Sequence, residues 1–332
     1  MVDTPAPNAA SPLLEVHGLC VDFVGRKHTL RALDGVSFDI ARGEVLGVVG
    51  ESGAGKSLTG AAIIGLLEAP GRITAGEIRL GGDRIDHLDD TALRRIRGRR
   101  IGAIFQDPLT SLNPLYTVGR QLVETIRTHL PLDAPQARER ALQLLRDTGI
   151  PAPEQRIDHY PHQFSGGMRQ RVVIALALAG EPELIVADEP TTALDVSVQA
   201  QIIALLKRVC REHGAAVMLV THDMGVIAET CDRVAVMYAG RVVEIGPVQQ
   251  VIHHPAHPYT RGLMGAIPAM DSERERLLQI DGAMPRLGAI PSGCAFHPRC
   301  PMAQARCSID RPELQRVGPT RAACWFAGEV PW

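Results

Sequence analysis

Residues 50–57 read GESGAGKS and match the spacing G-x-x-x-x-G-K-[ST] at every position. They follow the apolar run EVLGVVG, which predicts a strand, and lead into SLTGAAIIGLLEA, which predicts a helix. Glycines in such a turn let backbone N–H groups face a phosphate, and the helix N-terminus adds partial positive charge. We expect Lys56 to reach the β and γ phosphates of a nucleotide and the Ser57 hydroxyl to bind Mg²⁺. The alternative is a chance glycine-rich turn, which the flanking strand and helix argue against.

Two adjacent acids end the apolar run LIVADE, residues 184–189. At the tip of a strand, Asp188 can hold Mg²⁺ through water, and Glu189 can polarise an attacking water as a general base. Without other signals, acids in this position would simply end a strand or cap a helix. The phosphate-binding turn upstream favours the catalytic interpretation.

The order of predicted elements favours an α/β fold. LLEVHGLCVDF and VSFDIARGEVLGVVG predict strands joined by hairpins, and GRITAGEIRLGG predicts a further strand pair. IGAIFQ, LIVADE and AVMLVTH predict buried strands separated by helical stretches, and RVAVMYAGRVVEIG predicts a hairpin turning at Ala239-Gly240. Ligands of such sheets bind at the carboxyl ends of the strands. We predict a flexible N-terminus (1–12), a nucleotide-binding domain (13–250) with a helical subdomain at about 108–165, and a small accessory domain (251–332).

Composition narrows the class of protein. The chain has 332 residues, of which 45% are hydrophobic and 22% charged, as in a folded globular protein. A net charge of −2 gives no strong field toward nucleic acid, and we favour a solvated face for the arginine-rich run LRRIRGRR, residues 93–100. The N-terminus lacks the pattern of a secretory signal, and no apolar run reaches the roughly 18 residues of a membrane span. We therefore expect a cytosolic chain with reduced thiols.

Between the two motifs lies FSGGMRQR, residues 164–171, and here the chain resembles the ATP-binding subunits of ABC transporters over about residues 13–250. The usual family signature, Leu-Ser-Gly-Gly-Gln, is Phe164-Ser165-Gly166-Gly167-Met168 here. The departures leave the serine and both glycines intact, and the same form is familiar in the branch that serves peptide importers. The resemblance implies a P-loop NTPase of ABC type with a mixed sheet core, an antiparallel β subdomain and an α-helical subdomain.

The resemblance also implies a head-to-tail dimer that holds ATP between the phosphate loop of one subunit and the signature of the other. Glu189, His222 and Gln106 would be catalytic: the general base, the switch histidine and the glutamine that senses Mg²⁺ and the γ-phosphate. Ser57, Gln106 and Asp188 would hold Mg²⁺. The residues expected at ATP are Phe23, Gly50, Glu51, Ser52, Gly53, Ala54, Gly55, Lys56, Ser57, Leu58, Gln106, Asp188 and His222, with Ser165, Gly166, Gly167 and Asp195 acting from the partner subunit.

Two of these residues, Phe23 and Asp195, have alternative interpretations. Phe23 would stack on adenine, but an ordinary core phenylalanine is a serious alternative, and His28 is a second candidate for the stacking position. Asp195 would communicate across the dimer, and it could also cap the helix that follows it.

The tail carries a second site. HPAHPYTRGLMGAIP resembles the C-terminal extension of the oligopeptide/dipeptide branch, in which four cysteines can ligate a [4Fe–4S] cluster. Here the candidate ligands are Cys294, Cys300, Cys307 and Cys324, spaced C-x5-C-x6-C-x16-C. Structural zinc usually uses closer cysteine pairs, whereas iron–sulfur clusters accept more varied spacing, so a cluster is favoured over zinc, and both over free thiols or disulfides. A cluster could act as a structural staple or, alternatively, as a redox or iron sensor. The remaining cysteines, Cys20, Cys210 and Cys231, are expected to be packed in the core.

These observations together predict an ATP hydrolase that drives a peptide importer from the cytoplasmic face of the inner membrane. The resemblance implies two transmembrane permease subunits, a second ATPase subunit (a sister chain or a second copy), and an extracytoplasmic peptide-binding protein; no nucleic acid is expected. Related ATPases serve nickel-chelate or glutathione import, which stay as alternatives for the cargo. A soluble ABC ATPase outside transport and a non-hydrolysing ATP binder are the other classes, and Glu189 argues against the second.

Overall fold

The computed structural model describes residues 11–26, 28–191, 195–265 and 280–329, so almost all of the N-terminus predicted to be flexible lies outside the described residues. The strands are β1 (Leu14–Val24), β2 (Thr29–Ile40), β3 (Val45–Val49), β4 (Gly71–Leu80), β5 (Asp83–Arg84), β6 (Ile101–Ile104), β7 (Leu184–Asp188), β8 (Ala216–Val220), β9 (Arg233–Tyr238), β10 (Arg241–Pro247), β11 (Gln315–Val317) and β12 (Thr320–Ala322). The helices are α1 (Lys56–Ile63), α2 (Asp90–Ile96), α3 (Pro108–Ser111), α4 (Val118–His129), α5 (Ala134–Asp147), α6 (Pro153–Arg156), α7 (Gly166–Leu178), α8 (Val196–His213), α9 (Met224–Thr230), α10 (Val248–His253), α11 (Pro258–Gly265) and α12 (Ala305–Ile309). Short 3-10 turns span Pro161–Gln163, Leu287–Ala289 and His297–Arg299.

The strands form two sheets. The larger is mixed, in the order β11-β12-β10-β9-β3-β8-β7-β6, with β3, β6, β7, β8 and β9 parallel and the other pairings antiparallel. The smaller is antiparallel, in the order β2-β1-β4-β5. A mixed main sheet, an antiparallel β unit and a helical unit confirm the predicted α/β class.

The central strands bring the functional motifs to one edge of the main sheet. Every residue of β3 and β8 is buried, which explains why both read as continuous apolar runs. In the parallel registers Val48 lies opposite Val220, and Val220 lies opposite Asp188. The carboxyl ends of β3, β7 and β8 therefore lie side by side, and the residues that follow them share one edge.

Helices α3 to α6 lie between residues 108 and 156, within the predicted helical subdomain, whose exact limits stay a prediction. Asp133 begins α5 with a capping box: its carboxylate accepts from the Gln136 N–H at 2.9 Å, and the Gln136 side chain accepts from the Asp133 N–H at 3.0 Å. The apolar faces of α4 and α5 are buried in one core cluster with α7, whose first residue follows the signature serine. The signature is therefore mounted on a packed helix.

The C-terminal segment continues the main sheet. Strand β12 pairs with β10, with Glu244 opposite Ala322 and Ile245 opposite Arg321. The buried Glu244 carboxylate accepts from the N–H groups of Ala256 and His257 at 2.8 and 3.0 Å. The segment after 250 thus shares a sheet and buried hydrogen bonds with the nucleotide-binding core. The domain boundary at 250 stays a prediction.

Two strand predictions are wrong. Residues 71–80 form the single strand β4, which passes through Gly76 at φ 89° and pairs with β1 on one side and with the two-residue β5 on the other; a side chain at Gly76 would lie 2.5 Å from the Gly18 carbonyl. Strands β2 and β3 belong to different sheets and form no hairpin. The hairpin at Ala239-Gly240 is confirmed by the β9–β10 pairing.

The arginine-rich run 93–100 is a solvated face only in part: Arg94, Arg95 and Arg99 are exposed, whereas Arg97 and Arg100 are partly buried. Arg97 donates to the carbonyls of Ile64 and Gly65, and Arg100 donates to the Glu183 carboxylate at 2.6 Å. These arginines join neighbouring elements.

Candidate functional site

The loop 50–55 between β3 and α1 requires glycine at its ends. Gly50 has φ 151° and Gly55 has φ 103°. A side chain at Gly50 would strike the Met237 carbonyl oxygen, and one at Gly55 would lie 2.7 Å from Leu33. The loop therefore closes against β2 and β9 with no room for Cβ atoms, which leaves its backbone to form the cradle.

Lys56 starts α1 and is 6% exposed. Its Nζ donates to the carbonyls of Gly50 and Glu51 at 2.9 and 3.1 Å. Burial lowers the pKa of the Lys56 ammonium, while the carboxylates of Glu189, Asp188 and Glu51 act in the opposite direction. A positive charge held inside the loop is what a bound polyphosphate requires.

Ser57 and Asp188, two of the three predicted Mg²⁺ ligands, are brought together by α1 and β7. The Ser57 Oγ donates to Asp188 Oδ1 at 2.9 Å. Burial raises the pKa of the Asp188 carboxyl, and the charge of Glu189 raises it further against the opposing effects of Ser57 and Lys56. A bound divalent cation would reverse this balance and favour the carboxylate. The chemistry of these oxygen donors fits Mg²⁺.

The three predicted catalytic residues lie together, because Gln106 and His222 both contact Glu189. Gln106 Nε2 donates to Glu189 Oε2 at 3.1 Å, and His222 Nδ1 lies 3.4 Å from Glu189 Oε1. The backbone at Glu189 is left-handed, with φ 45°, and its N–H donates to the Val220 carbonyl at 2.9 Å. Such a strained backbone at a strand end is typical of functional positions. Gln106 contacts Glu189 here, and its role as the third Mg²⁺ ligand stays a prediction.

Phe23 lies at the rim of the same site. A pocket of about 340 Å³ is lined by Phe23 together with Ser57, Leu58 and Asp188. Phe23 is only partly buried, so its ring is available to a ligand. Of the other predicted loop residues, Ala54 is fully buried, whereas Ser52 and Gly53 are exposed.

The signature is presented at the start of α7. The Ser165 hydroxyl accepts from the Met168 N–H at 3.4 Å, and Ser165 and Gly166 are exposed. Phe164 is 2% exposed and belongs to the core, which explains why phenylalanine can replace leucine there. In the ranges that the structure describes, no hydrogen bond joins Ser165, Gly166 or Gly167 to the phosphate loop of the same chain.

Asp195 is exposed at the N-cap position of α8, and its side chain makes no capping hydrogen bond. The capping alternative is therefore wrong for its carboxylate. The preceding residues 192–194 of TTALD lie outside the described residues.

The four tail cysteines converge. Cys294, Cys300, Cys307 and Cys324 line one small cavity together with Trp325 and Phe326, and all four are free thiols. Burial raises the pKa of the Cys324 thiol to about 11, and its cysteine neighbours raise it further. Among the described residues, however, no group of three or more His, Cys, Asp or Glu side chains is arranged so that it could hold a metal ion. Cys20, Cys210 and Cys231 are buried, as predicted.

One set of contacts at the phosphate loop was not predicted. The Glu51 N–H donates to the Tyr259 hydroxyl at 2.9 Å, and Arg299 Nη1 donates to Glu51 Oε1 at 3.0 Å. Tyr259 stands in the HPYT stretch that carries the resemblance of the tail. That stretch alone gives no sign that its tyrosine contacts a loop more than two hundred residues away.

Within the described ranges, no helix combines the length and apolar character needed to cross a membrane.

Comparison with known proteins agrees with this geometry. The family model described as "ABC transporter" matches residues 33–192, and the model described as "Oligopeptide/dipeptide transporter, C-terminal region" matches residues 243–307. The chain is 48% identical to the "Probable peptide ABC transporter ATP-binding protein y4tR" of Sinorhizobium fredii, over 97% of each chain. It is 45% identical to the "Dipeptide transport ATP-binding protein DppD" of Escherichia coli, over 93% of this chain and 94% of that one.

Solved structures share the fold. The "Dimeric Structure of MJ0796, a Bacterial ABC Transporter Cassette" superposes with a TM-score of 0.63 at 32% identity, covering 71% of this chain and 98% of that chain. The same scores hold for the "Dimeric structure of a post-hydrolysis state of the ATP-binding cassette MJ0796 bound to ADP and Pi".

Proposed function

The chain belongs to the ATP-binding subunits of ABC transporters, and on that premise we propose that it couples ATP binding and hydrolysis to the import of dipeptides or oligopeptides. The observation that carries the catalytic part is the group of side chains at one sheet edge. There Ser57 contacts Asp188, while Gln106 and His222 both contact Glu189. The relatives named as peptide and dipeptide transport proteins support the cargo class.

The residues divide the work of hydrolysis. The loop backbone and Lys56 would bind the β and γ phosphates, and Ser57 and Asp188 would hold Mg²⁺, which neutralises charge on the phosphates. Glu189 would accept a proton from the attacking water as that water's oxygen bonds to the γ phosphorus, and the bond from the γ phosphorus to the β–γ bridging oxygen would break, so that ADP and phosphate leave. His222 and Gln106, which contact Glu189, would orient the carboxylate and the water. Phe23 would stack on the adenine at the rim of the pocket.

The signature residues would complete the site from a second ATPase subunit, either a second copy of this chain or a sister. Exposed Ser165 and Gly166 at the start of α7 support this role, because a hydroxyl and backbone N–H groups at a helix N-terminus suit a γ-phosphate. Asp195, exposed and without a capping bond, is available to contact the same partner.

The permease subunits would dock beside Gln106. Phe105, Leu109 and Leu115 are large apolar side chains that stay exposed in the segment just after β6. A groove of about 440 Å³ lined by Phe105, Thr110 and residues of α7 adjoins them. Exposed apolar surface next to a groove is typical of a protein contact. Docking there would place the chain peripherally on the cytoplasmic face of the inner membrane, with the peptide-binding protein on the opposite face.

The four converging cysteines would hold an iron–sulfur cluster. Burial raises the pKa of the Cys294, Cys300 and Cys324 thiols, and neighbouring cysteines raise it further, so thiolates in this space need positive charge to compensate them. A single zinc ion needs every sulfur at about 2.3 Å from one point, an arrangement not found among the described residues. The cysteines of a four-iron cluster bind different irons, so they need only surround a common space. When bound, the cluster would supply cross-links between segments of a tail that has little core of its own.

Glu189→Gln tests the hydrolytic assignment. We expect the variant to bind ATP as the unchanged chain does and to lose at least about a hundredfold in turnover, because the amide cannot accept the proton of the attacking water. Equilibrium binding of a fluorescent ATP analogue and steady-state phosphate release measure the two properties separately. Peptide uptake by the complex reconstituted in vesicles should fall in parallel. Unchanged hydrolysis would show that the general base lies elsewhere.

Anaerobic purification tests the tail. We expect a brown protein with about four irons and matching sulfide per chain, and loss of both in Cys294→Ser. A colourless protein with stoichiometric zinc would show that the cysteines bind zinc and not a cluster. A protein with no bound iron or zinc would refute the metal site. If Cys294→Ser leaves the tail folded, as judged by proteolysis, yet changes ATP hydrolysis, the structural role is wrong and the sensor is favoured.

A further inference from the structure

Glu51, the second residue of the phosphate loop, is held by side chains that lie far along the chain. Its N–H donates to the Tyr259 hydroxyl at 2.9 Å, across 208 residues of sequence. Its carboxylate accepts from Arg299 Nη1 at 3.0 Å, across 248 residues, and its carbonyl accepts from Lys56 Nζ at 3.1 Å. The peptide N–H, the carbonyl and the side chain of Glu51 are all engaged, two of the three by the C-terminal segment.

Tyr259 is fixed in place by its own surroundings. It is 0% exposed, and its backbone N–H donates to His257 Nδ1 at 3.0 Å. Its ring lies 4.7 Å from the Tyr238 ring and 5.3 Å from the Phe296 ring, centroid to centroid. The hydroxyl that meets the loop is therefore the polar end of a packed aromatic cluster, and the cluster sets its position.

Arg299 is equally well held. Its side chain is 8% exposed, and its Nε donates to the Asp281 carbonyl at 2.8 Å. Its Nη2 donates to the carbonyls of Ile280 and Gly282 at 3.4 and 3.3 Å. A guanidinium locked by three carbonyls presents its remaining donors to Glu51 in a defined direction.

We propose that Tyr259 and Arg299 are positioning residues for the phosphate loop. Neither would touch the reacting atoms; both hold Glu51 so that the loop meets a nucleotide already ordered, which lowers the cost of binding. The inference rests on the proposed ATPase function and adds the C-terminal segment to the nucleotide site. It also ties that site to the cysteines, because the turn 296–300 that carries Arg299 also supplies Phe296 and Cys300 to the wall of the cysteine cavity.

Tyr259→Phe isolates the hydroxyl and leaves the packed ring. We expect the Kd and KM for ATP to rise about three- to tenfold, the range for loss of one hydrogen bond, with kcat changed by less than about twofold. The matched control is Tyr116→Phe, which removes a hydroxyl from a tyrosine of the helical region, whose ring centroid lies 3.8 Å from the guanidinium carbon of Arg120. The control should change neither constant by more than about twofold.

A double-mutant cycle tests the ion pair. Glu51→Gln and Arg299→Gln should each raise the Kd for ATP. The double variant should bind ATP no more weakly than the weaker-binding single variant, because both substitutions remove the same interaction. Arg311→Gln is the control, since Arg311 belongs to the same segment and pairs with Asp34 and not with Glu51. Additive effects, or unchanged Kd in both Tyr259→Phe and Arg299→Gln, would overturn the proposal.

Coupling of this kind is reciprocal, so Mg-ATP must also stabilise the segment that holds Glu51. We expect nucleotide to slow hydrogen exchange at residues 296–300 in the unchanged chain and to do so less in Tyr259→Phe. A rate of hydrogen exchange in this turn that does not change when nucleotide binds would contradict the coupling. If the unchanged chain neither binds nor hydrolyses ATP, the proposed function itself fails; if it does both and the variants match it, only this inference fails.

Discussion

At the residue scale, Asp188 shows a conflict between catalysis and stability. Its pKa is raised in the folded chain, chiefly by burial, with a further contribution from Glu189. As the pH rises, the unfolded chain therefore loses this proton before the folded chain does, and stability falls over that interval. At neutral pH the carboxylate opposes folding, and a bound Mg²⁺ would relieve that cost.

Asp188→Asn should therefore stabilise the fold while it abolishes turnover. The amide oxygen can still accept from Ser57 but carries no charge. We expect the thermal midpoint, measured at neutral pH without nucleotide or Mg²⁺, to rise by about 1–3 °C. The gain should shrink as the pH is lowered until both forms are neutral.

Asp310→Asn is the matched control, because Asp310 forms an exposed pair with Arg306 and should shift the midpoint little. A lower midpoint for Asp188→Asn would mean that the charge of Asp188 already stabilises the fold.

At the scale of elements, the first turns of α5 and α7 are both capped by a side chain that accepts a backbone hydrogen bond, but the two caps serve different purposes. The Asp133 cap of α5 is reciprocal, with both of its bonds at 3.0 Å or shorter. The Ser165 cap of α7 is a single bond at 3.4 Å from an exposed hydroxyl. The first is built for helix stability, and the second leaves its hydroxyl available to a phosphate.

The two caps should respond oppositely to alanine. Asp133→Ala should lower the free energy of unfolding by about 1 kcal/mol and leave turnover per folded molecule unchanged. Ser165→Ala should cost less stability but lower ATP hydrolysis strongly. Denaturant unfolding and phosphate release distinguish the outcomes, and each variant is the other's control. Normal turnover in Ser165→Ala would remove the hydroxyl from the proposed shared site.

The same scale explains what could be predicted from the sequence. The positions of the loop at 50–57, between a strand and a helix, and of the acids 188 and 189, at a strand end, were predictable because each is encoded within a few adjacent residues. The hairpin predicted between β2 and β3 was wrong because the prediction relied on the rule that strands adjacent in sequence usually pair. Here the two adjacent strands belong to different sheets. The contacts of Tyr259 and Arg299 with Glu51 depend on how distant segments pack, and no local pattern reports them.

At the scale of the whole molecule, the proposed docking surface beside Gln106 would connect nucleotide chemistry to the membrane partners. Gln106 contacts Glu189 on one side, while Phe105 and Leu109 are exposed close by in sequence. A movement at Glu189 therefore has a short route to the proposed docking surface.

Leu115→Asp tests that surface. Leu115 is 77% exposed, so the change should cost little stability, whereas a buried carboxylate in a docked contact would be costly. We expect the variant to fail to co-purify with the permease subunits. Ile309→Asp makes the same kind of change at a residue that is 74% exposed on the C-terminal segment, and it should assemble normally. Equal assembly of both variants would place the docking surface elsewhere.

The pairing of β12 with β10 has a consequence for solubility. A bare β10 would offer a row of unpaired N–H and C=O groups at the rim of a large apolar sheet, the kind of edge on which chains aggregate. Strand β12 covers it, and the final strand β11 is only three residues long and carries the exposed Arg316 at its centre. A short, charged edge is a poor template for another chain. The cysteine-bearing segment therefore also shields this edge of the sheet from pairing with another chain.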